Sequence, residues 1–148
     1  MTALYKFTPL LTSVAFLAPL FIYRDGLYAH FRTATIQSTF LAILNALVIL
    51  IAISSLTFWK MPIKGETYHI IDSYLARITI VAFVVYNILY NTKTLKWFVI
   101  VLLLMLLMFY LSDEKSNAQW GSRGHIFFHI MLHLFCIAGL SLTLMSLV

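Results

Sequence analysis

Between Phe98 and Tyr110 the chain carries no polar side chain except the closing tyrosine. A helix that is apolar on every face has no side to turn toward water. Four further stretches share this character, so that apolar segments cover about 7–23, 36–59, 70–90, 95–111 and 125–148. A hydrocarbon core about 30 Å thick is crossed by roughly 20 apolar helical residues. Inside lipid the backbone must satisfy its own hydrogen bonds, which leaves helices or closed barrels. Hydrophobic residues make up 62% of the 148 and charged residues 10%, against about half and a quarter in soluble domains. The expectation is an all-α integral membrane protein: one domain over 1–148, about five transmembrane helices in a single bundle, with the lipid bilayer as its first partner.

The polar remainder narrows the function classes. Cys136 is the only cysteine, which excludes an intrachain disulfide and a cysteine-based metal site. The net charge is +5, but the ten Lys and Arg are scattered with no basic run, which argues against nucleic acid and for contact with anionic head groups. Tyr5, Tyr23, Tyr28, Trp59, Tyr68, Tyr90, Trp97 and Trp120 fall near segment ends, as an interfacial aromatic belt requires. The first segment has no small-residue cleavage site behind it and is expected to be retained. Five spans put the termini on opposite sides. The N-terminal side A receives Lys6, Lys60, Lys64, Lys115 and Arg123, the other side Arg24, Arg32, Lys93 and Lys96; five against four sets no orientation.

Side A also collects the chemistry. The end of the second span, the start of the third and the start of the fifth meet there, carrying Ser54 and Ser55, then His69 and Asp72, then His125, His129 and His133. The last three are spaced i, i+4, i+8 and lie on one stripe. A His–x3–His pair on one helical face is able to give two imidazoles to one metal ion. Ionisable groups within a span are costly and call for a partner or a water-filled cavity. Blander readings stand beside this one. His69 and His125 suit an interface without any ligand; His129 and His133 would be served by Ser, Thr or Asn on a neighbouring helix. Ser54 and Ser55 suit packing, Asn45 interhelical bonding, and Arg77 either snorkelling or an ion pair with Asp72. His30 reads as interfacial.

Three segments carry a family resemblance. Ile53-Ser54-Ser55-Leu56-Thr57-Phe58-Trp59, Ile71-Asp72-Ser73-Tyr74-Leu75-Ala76 and Gly124-His125-Ile126-Phe127-Phe128-His129 together cover roughly a quarter of the chain. They resemble, in order, the serine, aspartate and histidine motifs of the superfamily of alkaline ceramidases, adiponectin receptors and related membrane hydrolases. The resemblance implies a zinc ion held by His125 and His129, Asp72 as partner of the zinc-bound water, Ser55 polarising a carbonyl, and hydrolysis of a lipid amide or ester. Two features depart from the pattern. Trp59 stands where the third histidine belongs, four residues after Ser55, leaving His69 as the substitute ligand. The family core has seven helices rather than five. A shortened, degenerate relative fits both. The competing readings are a non-catalytic subunit or assembly factor bound to partner membrane subunits, and, with less support, a haem-b protein using His129 or His133 with His69.

Overall fold

The computed structural model describes the backbone from residue 3 to 148 and side chains from residue 7. The interfacial readings of Tyr5 and Lys6 lie outside the described residues. Seven helices follow one another: α1 (Ala3–Ala15), α2 (Ala18–Ile22), α3 (Arg24–Phe31), α4 (Ile36–Lys60), α5 (Thr67–Tyr90), α6 (Leu95–Ala118) and α7 (Arg123–Met145). Among the described residues there is no strand. Helices α4, α5, α6 and α7 are each long and apolar enough to cross a membrane. The stretch 7–22 and α3 make a fifth candidate that bends by 60° at Tyr23.

Two features depart from expectation. The first segment ends at Ile22, next to the expected Tyr23, but a further helix, α3, begins at Arg24 where a turn was expected. Arg24, Asp25, Tyr28 and Arg32 are exposed while Leu27 is buried, so α3 has the one-sided pattern of a helix lying at an interface. The other is the connection read as loop over 112–124. Helix α6 continues to Ala118, and Asn117 Nδ2 donates to Asp113 Oδ2 at 3.2 Å across one turn. Side-chain bonds of this spacing support a helix outside lipid, so the loop shrinks to four residues, 119–122.

Helix α4 shows how the sequence builds the bundle. Leu41, Leu44, Val48, Ala52, Ser55 and Trp59 recur every three or four residues and are all buried, a single stripe on one face. Its first four residues join Phe16, Phe83, Phe98, Leu140 and Leu144 in the main core, while Trp59 packs in a second cluster with Phe58 and Ile126. Helices α4 and α7 each bury 33% of their apolar window, α5 and α6 only 22% and 17%, so α4 and α7 are central and the other two face outward. Helix α6 packs on α7, α5 on α4, and α1 bridges α4 and α7. Helices α5 and α6 scarcely touch each other. The bundle is therefore an open ring with a gap between α5 and α6.

Two polar ties close the gap at its ends. At one end Asn87 Nδ2 donates to Thr143 Oγ1 (2.9 Å), Asn91 Nδ2 to Asn87 Oδ1 (2.6 Å), and Thr94 Oγ1 to the Leu142 carbonyl (2.8 Å). This pins the α5–α6 turn to α7. At the other, Lys64 Nζ donates to the Ser116 carbonyl (3.0 Å) and to Asn117 Oδ1 (2.8 Å), joining the α4–α5 loop to the end of α6.

Candidate functional site

Between the two ties lies a cavity of about 240 Å³, lined by α4, α5, α6 and α7. Ser55, His69, Asp72, His125, His129 and His133 all line it, at the end where α5 and α7 begin. Below them the walls are apolar: Val48, Ile80, Phe83, Leu102, Met105 and Leu140. The topology gathers the six polar residues and Arg77 into one space, while Ser54, Asn45 and His30 lie outside its lining. Their hydrogen bonds, however, give them roles that spacing alone does not reveal.

His69 and His125 are helix-capping residues. Each stands three positions after its N-cap, Glu66 and Ser122 respectively. Its Nδ1 accepts from the backbone N–H of the glycine before the cap: Gly65 to His69 at 3.3 Å and Gly121 to His125 at 3.2 Å. Ser122 Oγ accepts from the His125 N–H at 3.2 Å, a variant of the capping box in which a histidine at N3 reaches the N–H one residue before the N-cap. Both glycines have positive φ, 84° and 71°, a conformation that side chains disfavour. The shared signal is a glycine four residues ahead of a histidine at the mouth of an apolar run, Gly65-Glu66-Thr67-Tyr68-His69 and Gly121-Ser122-Arg123-Gly124-His125. That repeat is legible in the sequence, though the i, i+4 spacing of His125 and His129 matches a metal-ligand pair equally well.

The capping bonds decide how these residues stand toward zinc. A neutral imidazole has one N–H and one lone pair. With the Nδ1 lone pair on a glycine N–H, the proton sits on Nε2, which then has none to offer. Zinc-bound histidines take the opposite arrangement, binding through one nitrogen and donating from the other. Aromatic rings also fill the space between the histidines. Trp59 lies 4.9 Å from His129 and Trp120 4.5 Å from His125, centroid to centroid. Among the described residues no group of three or more His, Cys, Asp or Glu side chains is placed to hold a metal ion. As they are arranged, His69 and His125 have their Nδ1 lone pairs on glycine N–H groups, and His129 alone keeps an unpartnered ring nitrogen.

The remaining site residues are engaged elsewhere. Asp72 Oδ1 accepts from Ser54 Oγ at 2.7 Å rather than from Ser55. Ser55 Oγ lies 2.9 Å from Ser13 Oγ, and Ser13 Oγ donates to the Pro9 carbonyl at 2.7 Å, so Ser55 donates to Ser13. This bond holds α4 to α1, and no base adjoins it. His133 Nδ1 meets Thr12 Oγ1 at 2.8 Å, the neighbouring-helix bonding that its depth called for. Asn45 is not the interhelical bonder expected: both its side-chain polar atoms are buried without a partner. Nor does Arg77 pair with Asp72: among the described residues the two form no ion pair. Five residues apart on α5, the two point about 140° away from each other.

Two buried polar atoms on the cavity wall have no hydrogen-bond partner, His129 Nε2 and Thr79 Oγ1. Thr79 escaped the sequence reading because a lone threonine in an apolar helix carries no signal. No protein-family model, curated protein or solved structure matches this chain.

Proposed function

We propose that this is a multi-pass membrane protein that binds one lipid chain, admitted sideways through the gap between α5 and α6, and that it works by holding the lipid rather than by zinc-dependent hydrolysis. The observation that carries this reading is the apolar cavity open between two peripheral helices that barely meet. An empty cavity costs about 24 cal/mol per Å³, and 240 Å³ left empty would cost of the order of 6 kcal/mol. That rivals the whole stability of an ordinary domain, so occupancy is the economical state. The volume lies near the lower bound of about 300 Å³ for small-molecule pockets and suits a single hydrocarbon chain. The unpaired His129 Nε2 and Thr79 Oγ1 would receive polar atoms of that ligand. The resemblance, read as that of a degenerate relative, is compatible with this: Trp59 stands where the resemblance would put a ligand, and His69 and His125 cap helices.

Photo-cross-linking with a diazirine-bearing single-chain lipid tests the proposal. Labelled peptides should map to α5–α7, and Ala76→Phe, which fills the cavity from α5, should abolish labelling without lowering the unfolding midpoint. Labelling undiminished by Ala76→Phe would refute it.

A further inference from the structure

Arg77 is the one charge in the apolar reach of α5 between Asp72 and Tyr90. Its Cα stands about 15 Å along α5 from the first residue, at 1.5 Å per residue, and the residue is exposed. The guanidinium lies 5.9 Å from the Tyr74 ring centroid and 5.8 Å from that of Phe109 on α6. Arg77 therefore reaches across the gap at the mouth of the cavity, whose wall it forms. The two rings attract the cation through their faces, but they accept none of its five N–H donors in the manner of an oxygen. No acidic side chain lies within ion-pair distance, Asp72 and Asp113 of the same cavity included. An exposed arginine at this depth faces lipid instead of water, where unmet donors are costly.

Resting on the lipid-binding reading, we infer that Arg77 is the head-group receptor of this gap and that its ligand is a single-chain amphiphile with an anionic oxygen head, a phosphate or a carboxylate. The fork of guanidinium donors matches both heads bidentately. From Arg77 the apolar wall descends past Ile80 and Phe83 on α5 and Met105 and Leu102 on α6, a path for the chain.

The experiment uses the full chain in neutral detergent and three photoactivatable probes with one acyl chain and different heads: phosphate monoester, carboxylate and uncharged glycerol. The wild type should label with half-saturation about tenfold lower for the two anionic heads than for glycerol, the scale of one charge-assisted contact. Arg77→Gln should bring the half-saturation of the two anionic heads to that of glycerol, and Arg77→Lys should keep most of the phosphate preference. Ala76→Phe should abolish labelling by all three. Equal half-saturation for the three heads in the wild type, still blocked by Ala76→Phe, would overturn the role of Arg77 and leave the cavity reading standing. Labelling that survives Ala76→Phe would overturn the cavity reading itself. Displacement by millimolar inorganic phosphate would show a free-anion site and overturn the amphiphile assignment. The wild-type comparison decides the matter even if Arg77→Gln fails to fold.

Discussion

Replacing His125 separates a capping histidine from a metal-binding one. The residue is 2% exposed, receives the Gly121 N–H at 3.2 Å and lies against the Trp120 ring. His125→Ala removes the cap, worth about 1 kcal/mol. It also removes a buried ring, worth about 1–2 kcal/mol by the area it covers. The expected loss is about 2–3 kcal/mol of unfolding free energy. His125→Gln keeps an acceptor at the position where capping boxes ordinarily carry Glu or Gln, so it should recover about 1 kcal/mol of that loss. Reversible unfolding in mixed micelles, followed by tryptophan emission, measures both. Metal analysis of the same samples should find no stoichiometric zinc in the wild type. If Gln is as damaging as Ala and the wild type carries one zinc per chain that both variants lose, the capping argument is refuted and the metal reading takes its place.

Two further expectations concern the frame. The buried Asn87–Thr143 pair should show a coupling of about 0.6–1.7 kcal/mol in a double-mutant cycle of Asn87→Ala and Thr143→Val, the range for interhelical bonds in membranes. A coupling indistinguishable from zero would mean that this tie does not close the bundle. Single cysteines at positions 65 and 121 in a Cys136→Ser background should label from the same side of the membrane, because Lys64 and Trp120 join the two loops at one end. Labelling from opposite sides would dismantle the cavity along with the topology.

Much of the architecture was legible from the chain alone, because in lipid the rules for a helix are few. Apolar runs long enough to span located α4 through α7 to within a few residues, except the far end of α6, where hydrogen-bonding polar residues carried the helix beyond its apolar stretch. Antiparallel order then brought Ser55, Asp72, His125 and His129 to one end, and the i, i+4, i+8 spacing placed three histidines on one stripe. Spacing says which residues share a neighbourhood. Which lone pair faces which proton depends on backbone geometry over single ångströms, and only the folded chain decides that. Thus His69 and His125 became caps once Gly65 and Gly121 turned their N–H groups toward them. Ser55 went to Ser13, a partner 42 positions away that no local pattern names. Arg77 was visible as a costly charge, and its five-residue spacing from Asp72 already turned the two apart on α5, but its place across the gap from Phe109 follows from the rotation of α5 against α6. Helix identity is a local property of hydrophobic length, while the occupant of each donor and acceptor is settled by how the helices are turned when they pack.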